Sequence, residues 1–319
     1  MTQSVNNTTK DRTILIGPTG FLGPAFLEND PSIIGVGRTK LPKHLNNEFF
    51  YIESDEAFST LDNLDFQNVI FLIGCSGHHL LNIHPTLAIE KNVLALSRFL
   101  WYLKKSKRKV NKIVNFTTML QYDTSKMKLP CDESQPRNPL VDNYVMSKYM
   151  SELVTQQHRD EFDIIDVRIS NVYGPTRLMR PDIVPSIIWS LLHNKEASVW
   201  TKAPKRDFIY VEDVVDAVLK LIKTDFSGPV NLGTGIGSTV GELCDHLENI
   251  SNIHIPDQHR SVSGHMEFFQ DTSLLRSLID WKPLYSLEQG ISKTYSLMEG
   301  YYEDAEVRNR IHKALDNPS

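Results

Sequence analysis

Short apolar runs alternate with longer amphipathic stretches through the first two thirds of the chain. The mostly apolar runs occupy residues 13–16, 33–36, 49–52, 69–73, 112–116 and 164–168. Continuous apolar runs of this length are typical of parallel strands that are covered on both faces. Residues 85–103 and 143–157 instead place apolar residues at helical spacing, so we expect amphipathic helices there.

Strands that alternate with helices predict right-handed βαβ crossovers. The fold class we expect is therefore α/β, a Rossmann-type doubly wound parallel sheet. The pattern changes after Pro175, where helical segments at 183–192 and 212–222 alternate with short strands at 207–210 and 230–232. These segments predict a smaller C-terminal α/β lobe, parts of which return to the sheet.

A glycine-rich turn follows the first apolar run and leads into a short helical segment. Its residues are Gly17, Pro18, Thr19, Gly20, Phe21, Leu22 and Gly23. Glycine allows a tight turn and close approach of a pyrophosphate, which the N–H groups and dipole of the following helix attract. We expect Gly17, Thr19, Gly20, Phe21, Leu22 and Gly23 to bind a dinucleotide. The alternative is a tight turn that binds no ligand.

The end of the second predicted strand bears on which dinucleotide binds. An Asp or Glu there would hold the ribose 2′-hydroxyl of NAD, but the strand is followed by Gly37, Arg38 and Thr39. A guanidinium matches the geometry of a 2′-phosphate, which favours NADP(H) as cofactor and leaves NAD(H) as the alternative. Arg38 stacked on the adenine would suit either cofactor.

These features divide the chain into four parts. We expect a disordered tail over 1–12, an NAD(P)-binding Rossmann domain over 13–175, a mainly substrate-binding lobe over 176–305 and a frayed C-terminus over 306–319. The tail is polar and lacks the apolar core of a signal peptide.

A tyrosine and a lysine one helical turn apart suggest catalysis. Tyr144 and Lys148 share one face of the helix predicted over 143–157. A neighbouring ammonium lowers the pKa of a phenol, so Tyr144 can act as general acid for carbonyl reduction or as base in the reverse direction. Thr118, at the carboxyl end of the fifth strand, is expected to polarise the same carbonyl. A Tyr-x-x-x-Lys match on its own is common on helices of purely structural role.

Composition excludes several other classes of protein. The net charge of −5 argues against a protein that binds nucleic acid. The basic run at 104–109 is typical of the solvent-exposed end of a helix. The three cysteines, Cys75, Cys131 and Cys244, form no Cys-x-x-Cys pattern, so we expect neither disulfides nor a metal site. No apolar run approaches the ~20 residues of a membrane span, so we expect a cytoplasmic protein without a membrane partner.

The chain resembles the extended short-chain dehydrogenase/reductase family, in its nucleotide-sugar epimerase, dehydratase and reductase branch. The resemblance runs from about Thr13 to about Thr294. Its motifs, in family order, are the loop at 17–23, Asn92-Val93, Thr117-Thr118 with Tyr122, Asp132-Glu133 with Pro136 and Pro139, Tyr144 with Lys148, RISNVYGP at 168–175, KRDFIYVEDV at 205–214, NLGTG at 231–235, and Trp281-Lys282-Pro283 with Ser286-Leu287.

The resemblance implies roles for further residues. Asn171 would contact the sugar nucleotide and Arg206 its diphosphate, although Arg206 beside Asp207 also suits a local salt bridge. Asp55 would meet the adenine, and Asn92 would lie at the cofactor. The resemblance also implies a homodimer through a four-helix interface, formed by 85–103 and 143–157, and a role in polysaccharide or deoxysugar synthesis.

Two segments depart from the family pattern. Dehydratase members carry an Asp-Glu pair after the catalytic threonine, whereas Met119 and Leu120 stand here; neither side chain moves protons, which argues against 4,6-dehydration. The segment 74–79 contains Cys75, His78 and His79 in place of small apolar residues. The two histidines either line the site or are solvated, and no role is assigned to Cys75.

Three functions remain open from the sequence. The first is an NADPH-dependent reductase that acts on a keto group, at C4, of a nucleotide-activated sugar. The second is an NAD-dependent 4-epimerase, which uses the same three residues. The third is a cofactor-binding protein without turnover, for which Thr118, Tyr144 and Lys148 would not all be needed.

Overall fold

The computed structural model of the 319-residue chain describes residues 11–54, 57–76, 78–178, 182–262 and 265–316. The strands are β1 Thr13–Ile16, β2 Ile34–Gly37, β3 Phe49–Tyr51, β4 Asn68–Phe71, β5 Lys112–Thr118, β6 Ile164–Ile169, β7 Asn171–Tyr173, β8 Lys205–Arg206, β9 Phe208–Tyr210, β10 Gly228–Leu232, β11 Ser238–Thr239 and β12 Glu267–Phe268. The helices are α1 Gly23–Asn29, α2 His78–Ile83, α3 Pro85–Ile89, α4 Ala95–Ser106, α5 Asn143–Gln157, α6 Ile183–His193, α7 Val211–Leu221, α8 Val240–Ser251, α9 Ser273–Ile279, α10 Leu287–Glu303 and α11 Ala305–Asp316.

The main sheet has seven parallel strands in the order β10-β6-β5-β4-β1-β2-β3. Neighbouring residues of each strand enter different cores: Leu15 and Ile70 pack into one face, and Ile14 and Val69 into the other. This alternation explains the continuous apolar runs, because both faces are covered by helices. The order reverses direction between β1 and β4, and ligands bind at such a point beyond the carboxyl ends of the strands. The predicted Rossmann-type α/β fold is confirmed.

Each strand predicted for the sheet is present, and its ends move by no more than two residues. The largest extension is in β5, which continues through Thr117 and Thr118 because they pair with Arg168 and Ile169 of β6. Threonine is β-branched and suits a strand. The carboxyl end of β5 therefore lies two residues further along than the pattern predicted.

The helix predicted over 85–103 has one irregularity. Helices α3 and α4 are joined by a π-helical turn over Glu90–Leu94, in which Asn92 and Val93 are both buried. A π-turn has a wider hydrogen-bond ring than an α-helix, and such turns often occur at functional sites. The helix over Asn143–Gln157 has the predicted bounds.

The C-terminal half forms a second core and also completes the sheet. Apolar side chains of α6, α8, α10 and α11 pack together with Tyr173 and Phe208. Two small sheets, β7-β9 and β11-β8-β12, lie in the same half of the chain. Strand β10 pairs in parallel with β6 and forms one edge of the main sheet.

Two local expectations differ from the structure. Residues predicted to fray from 306 onward form α11 up to Asp316, because Val307 and Ile311 supply a buried apolar stripe. The basic run at 104–109 is more than a solvated helix end, since the guanidinium of Arg108 donates hydrogen bonds to the main-chain oxygens of Leu61, Asp62 and Leu64. The predicted tail 1–12 lies outside the described residues up to position 10.

The described residues also bear on the membrane and metal expectations. Among them, no helix combines the length and the apolar run needed to cross a membrane. Within the same residues, His, Cys, Asp and Glu side chains form no cluster of three or more that would hold a metal ion. Cys75, Cys131 and Cys244 are all free thiols.

Candidate active site

The glycine-rich loop is shaped by positions that exclude side chains. Gly17 has a φ of +88°, and a Cβ there would lie 3.0 Å from the backbone N of Ile73, two residues beyond β4. A Cβ on Gly23 would collide with the carbonyl of Pro18. Gly20 differs, because the nearest atom to its Cβ position is the Gly17 oxygen at 3.7 Å. The loop therefore closes on β4 yet stays open above Gly20, which fits a pyrophosphate at the N-terminus of α1.

Tyr144 and Lys148 line the same cavity as this loop. The cavity has a volume of about 150 Å³. Its walls are Gly20, Phe21, Leu22, Gly23, Leu72, Gly74, Cys75, Ser76, Phe116, Thr117, Tyr144, Lys148, Ile169 and Val172. The two residues chosen from their spacing on α5 thus face the loop chosen from its glycines, with strand ends of β4, β5 and β6 between them.

Helix α5 is fixed at its start, which orients both side chains. Asp142 caps it by accepting a 2.8 Å hydrogen bond from the N–H of Val145, an interaction typical of a helix N-terminus. Lys148 Nζ donates a 2.9 Å hydrogen bond to the main-chain oxygen of Phe116 in β5. Burial lowers the pKa of Lys148 to about 8, because desolvation disfavours the ammonium.

Both threonines at the end of β5 are buried, and they face different partners. The Thr117 hydroxyl donates to the Val167 oxygen at 3.3 Å, and Thr117 lines the cavity. The Thr118 hydroxyl oxygen accepts a 3.2 Å hydrogen bond from the N–H of Leu120, so the hydroxyl proton is still able to donate a hydrogen bond. The structure therefore brings Thr117 to the cavity wall, and Thr118, the predicted polarising residue, lies at the start of the next turn.

Asn92 lies behind the cavity. It is 3% exposed, and its carboxamide forms hydrogen bonds with the backbone of Cys75 and the hydroxyl of Ser147.

Arg38 follows β2 directly and is exposed, and the neighbouring Gly37 packs on Pro18 of the glycine-rich loop. Asp55 lies outside the described residues.

The substrate-side residues Asn171 and Arg206 lie on neighbouring short strands. Asn171 is the first residue of β7. Its backbone N–H and its side-chain amide both donate hydrogen bonds to the main-chain oxygen of Asp207. The Arg206 guanidinium donates to the main-chain oxygens of Lys205 and Met266. Desolvation lowers the pKa of Arg206 below its usual range.

The proposed local salt bridge between Arg206 and Asp207 does not form within the described residues. The buried Asp207 carboxylate instead accepts hydrogen bonds from Thr234 and Gly235. These bonds tie the NLGTG motif at 231–235 to the KRDFIYVEDV motif at 205–214 and fix the backbone next to Arg206.

Cys75 lines the cavity, and burial raises the pKa of its thiol, a shift that the cations Lys148 and Lys91 oppose. At neutral pH the thiol form is therefore favoured. The backbone of His78 and His79 starts α2, but their side chains lie outside the described part of the chain.

Several residues that build the site had no role assigned to them from the sequence. Gly74, Ile169 and Val172 line the cavity; Gly74 begins the segment 74–79 that departs from the family pattern, and Ile169 and Val172 belong to the RISNVYGP motif at 168–175. Under α5, Glu152 forms buried ion pairs with Arg168 at 2.5 Å and Arg137 at 2.7 Å. These three side chains come from separate elements, so no local pattern could have linked them.

A second cavity opens on the other side of the glycine-rich loop. Its volume is about 410 Å³, and it shares Gly20 and Phe21 with the first. Arg177 at its wall stacks on the Tyr301 ring at 3.8 Å from the ring centroid. The loop is therefore approached from two sides.

Comparison with known proteins agrees with this architecture. Residues 13–233 match the sequence model of the NAD dependent epimerase/dehydratase family. The human dTDP-D-glucose 4,6-dehydratase is 28% identical over 199 residues, which are 58% of this chain and 55% of that protein. The chain thus spans about half the length of the curated relatives it matches.

Solved structures are similar over almost the whole fold. UDP-glucose 4-epimerase of Thermotoga maritima, solved with UDP-glucose, has a TM-score of 0.80 at 22% identity, covering 91% of this chain and 99% of that one. RMD of Pseudomonas aeruginosa, complexed with NADPH, has a TM-score of 0.76 at 18% identity, with the same coverage. Since the family model spans more than half of the sequence, the chain belongs to the NAD dependent epimerase/dehydratase family of enzymes, the extended short-chain dehydrogenase/reductase branch that its motifs resemble.

Proposed function

We propose that this protein is an NADPH-dependent reductase that acts on a keto group, at C4, of a nucleotide-activated sugar. The observation that supports it best is the single cavity lined by Gly20–Gly23, Tyr144 and Lys148. A proton donor and a dinucleotide loop must be close together for a carbonyl to receive hydride and proton in one site.

The roles of Tyr144 and Lys148 follow from their positions in this cavity. NADPH, when bound at the glycine-rich loop, would supply the hydride for the carbonyl carbon. Tyr144 gives its phenolic proton to the carbonyl oxygen and is reprotonated from solvent, so the product is an alcohol. Lys148, as an ammonium, stabilises the phenolate. The hydroxyl expected from the sequence to polarise the carbonyl is that of Thr118, whereas Thr117 is the threonine that lines the cavity in this structure.

The residues next to Thr118 argue against dehydration. Met119 is 1% exposed and packs with Tyr122, Cys131 and Phe268. A thioether in an apolar cluster neither takes nor gives a proton, so the site lacks a second acid–base pair at this position. The human relative is named a 4,6-dehydratase. In this chain the dehydration step has no acid or base at positions 119 and 120, which are Met and Leu.

The sugar nucleotide is proposed to lie between Asn171 and Arg206. The Arg206 guanidinium donates only to main-chain oxygens in the described structure, so its charge has no carboxylate to neutralise it there. A diphosphate would form charge-assisted hydrogen bonds with it. A Thermotoga maritima neighbour of similar fold was solved with UDP-glucose, which supports this substrate class.

Turnover with and without added cofactor tests the proposal. The protein is incubated with UDP-, dTDP-, GDP- and CDP-linked sugars and their 4-keto forms, and NADPH absorbance and products are followed. Stoichiometric NADPH consumption with an alcohol product is expected. Interconversion of epimers without net cofactor change would instead identify the 4-epimerase, and tight dinucleotide binding without turnover would identify a non-catalytic protein.

The assembly we propose is a homodimer through the face of α4 and α5. Trp101 on α4 is 62% exposed, Leu153 on α5 is 43% exposed, and Leu94 of the π-turn is 37% exposed. Large apolar side chains that share a surface mark an interaction site. Trp101→Glu should give monomers in light scattering, whereas Trp200→Glu, at a 60% exposed tryptophan of the other half, should leave the mass unchanged. Equal masses for the wild type and Trp101→Glu would reject the interface.

A further inference from the structure

A carboxylate lies in the middle of the buried strand β6. Asp166 is 0% exposed, and its neighbours Ile165 and Val167 pack into one core of the sheet. Side chains alternate along a strand, so Asp166 points to the opposite face, where it contacts α5. Acidic side chains are almost never fully buried unless they are paired. The partners of Asp166 therefore decide which charge it carries.

Three side chains surround the Asp166 carboxylate. Asn115 of β5 donates a 2.7 Å hydrogen bond to Oδ1, and Arg159, in the turn after α5, donates a 2.6 Å hydrogen bond to Oδ2. The Thr155 hydroxyl, near the end of α5, lies 2.7 Å from the same Oδ2. The carboxylate thus connects β5 and β6 to the C-terminal end of α5.

The Thr155 hydroxyl has more acceptors than protons. Its Oγ1 lies 2.7 Å from Asp166 Oδ2 and 2.8 Å from the main-chain oxygen of Glu152. A hydroxyl carries a single proton, so an ionised Asp166 leaves one of these two contacts without a hydrogen. A proton on Oδ2 supplies it, because Asp166 then donates to Thr155 while Thr155 donates to Glu152. The geometry of these oxygens accommodates a protonated Asp166.

A second buried carboxylate, that of Glu152, disfavours the charge on Asp166. Burial opposes the ionisation of Glu152, but Arg168 and Arg137 outweigh it and lower the pKa of Glu152. Asp166 has the single cation Arg159, so burial and the charge of Glu152 raise the pKa of Asp166 to about 6. Where two carboxylates lie close together, the less well paired one takes the proton. That carboxylate is Asp166.

Four other charged groups flank this cluster, and each pairs with one of two glutamates. Within the described residues, Glu152 pairs with Arg137 and Arg168, and Glu161 pairs with Lys104 and His158. Asn115, which faces Asp166 from β5, carries no charge. In the described part of the chain, Arg159 and Glu152 are therefore the charges that act on Asp166.

We propose that Asp166 and Arg159 form a pH-sensitive latch that holds the C-terminal end of α5 on the main sheet. The latch is closed while Asp166 is a carboxylate, and it opens when Asp166 takes up a proton and Arg159 loses its ion pair. The Arg159 side chain is 22% exposed and its Nε is buried without a hydrogen-bond partner, so the guanidinium gains hydration by turning to solvent. The inference concerns the anchoring of α5 and does not depend on the proposed function.

Titration of Asp166 is the first test. Aspartate carboxyl carbons are labelled with ¹³C, and the Asp166 signal is assigned by its loss in Asp166→Asn. We expect a midpoint near pH 6. Between pH 7 and pH 5 the protection of the amides of 158–162 against hydrogen exchange, corrected for the intrinsic rate, should fall about tenfold, which corresponds to the loss of one charge-assisted hydrogen bond.

Unfolding in urea gives the second measurement. The pKa of Asp166 in the folded protein lies above the ordinary value of 3.8, so uptake of the proton stabilises the folded chain as pH falls through 6. Relative to Asp166→Asn, the unfolding equilibrium constant of the wild type should fall about tenfold from pH 7 to pH 5. Asp163→Asn, at a side chain that is 59% exposed three residues earlier, is the matched control and should follow the wild type.

Arg159→Gln tests the latch without any change to the buried carboxylate. This variant should open the latch at pH 7, so its protection of 158–162 at pH 7 should match that of the wild type at pH 5. Its Asp166 should also titrate at higher pH than in the wild type, because an opposite charge has been removed. The variant keeps the proposal testable if Asp166→Asn does not fold.

Three results would overturn the inference. They are an Asp166 that stays ionised down to about pH 4.5, a protection of 158–162 that is the same at pH 7 and pH 5, and wild-type protection in Arg159→Gln at pH 7. None of these measurements involves turnover of a sugar nucleotide. A protein that reduces no such substrate would therefore leave the latch intact, and loss of the latch would leave the proposed function open.

Discussion

The Lys148 ammonium is held by the main-chain oxygen of Phe116, at 2.9 Å, and not by an acid. The bond joins α5 to β5 at the point where the proposed proton donor and the cofactor loop meet. Burial lowers the pKa of this lysine to about 8. A buried ammonium whose hydrogen-bond partner is one neutral oxygen destabilises the folded protein. We therefore expect Lys148 to lower the free energy of unfolding, a cost that is common at functional sites.

Replacement of Lys148 should therefore stabilise the protein while it removes activity. We expect Lys148→Met to raise the free energy of unfolding by ~1–3 kcal/mol at pH 7. The pKa of Lys148 in the folded protein lies below the ordinary lysine value of 10.5, so the penalty is complete below about pH 8 and fades between pH 8 and 10.5. Urea unfolding at pH 7 and pH 10 should show the gain shrinking as pH rises.

Lys112→Met is the matched control for that experiment. Lys112 is also buried and also donates to a main-chain oxygen, that of Phe226 at 2.9 Å, but Asp163 lies 3.9 Å from its Nζ. Its loss should lower stability. A Lys148→Met protein that is less stable than the wild type at pH 7 would contradict the assigned electrostatic cost.

Removal of the Tyr144 hydroxyl should separate binding from chemistry. Loss of a general acid costs about 10²–10⁴-fold in turnover, so Tyr144→Phe is expected to lower kcat by that range and to leave NADPH affinity within a factor of about two. Tyr149→Phe controls for the helix, because Tyr149 lies on α5 under the guanidinium of Arg137. Normal turnover by Tyr144→Phe would exclude it as the proton donor.

The two ends of the glycine-rich loop should respond differently to alanine. In Gly23→Ala the new methyl group collides with the Pro18 carbonyl, so we expect a loss of ~2–4 kcal/mol in stability from overpacking against backbone. Gly20→Ala has room at 3.7 Å and should melt like the wild type while it binds NADPH more weakly. Thermal melts and calorimetric titrations compare them, and equal melting temperatures for both variants would count against the described loop.

Arg38 distinguishes the two cofactors. If its guanidinium pairs with the 2′-phosphate, Arg38→Gln should weaken NADPH binding about tenfold or more and leave NADH binding unchanged. If it stacks on the adenine, both dinucleotides should lose affinity by the same factor. Titration of both cofactors against the wild type and the variant decides between these roles.

The ion pair under α5 should make the fold acid-sensitive. Burial opposes ionisation of Glu152, but hydrogen bonds and charge from Arg168 overcome it and lower its pKa. This pairing stabilises the fold above the unfolded pKa of Glu152 and is lost as pH falls through the lower folded value. Glu152→Gln leaves Arg168 without its partner and should cost ~3–5 kcal/mol at pH 7.

Glu161→Gln is the comparison for Glu152, because Glu161 pairs with Lys104 at 2.7 Å on the surface. Exposed pairs contribute only about 0–1 kcal/mol. Urea unfolding at pH 7 and pH 4 measures both variants. A similar cost for the two substitutions would mean that burial does not strengthen the Glu152 pair.

The sequence predicted those parts of the fold that local periodicity determines. Local periodicity predicted β1, β4 and β6 as well as the helix over 143–157. In a strand buried on both faces every consecutive residue is apolar, and in an amphipathic helix the apolar residues recur at helical spacing. The glycine-rich loop was found because sterics restrict each of its positions. Family motifs added Asn171 and Arg206, whose roles stay predictions.

Tertiary contacts determine the rest. The π-turn at Glu90–Leu94 changes the direction in which the Asn92 side chain points, and the residue types in this segment give no sign of it. Helix α11 forms because Val307 and Ile311 pack into a core whose other residues are distant in the sequence. Whether Thr117 or Thr118 reaches the cavity depends on strand register and on the turn that follows. The pairing of Glu152 with Arg168 joins a helix to a strand and leaves no local pattern.

The edge position of β10 has a consequence for the order in which the protein is made. Until the ribosome has added residues 228–232, strand β6 presents an unpaired row of backbone N–H and C=O groups next to a largely assembled sheet. Open edges of this kind template aggregation. A nascent chain stalled between β6 and β10 should therefore depend on chaperones, and that dependence should end once Leu232 has emerged from the exit tunnel.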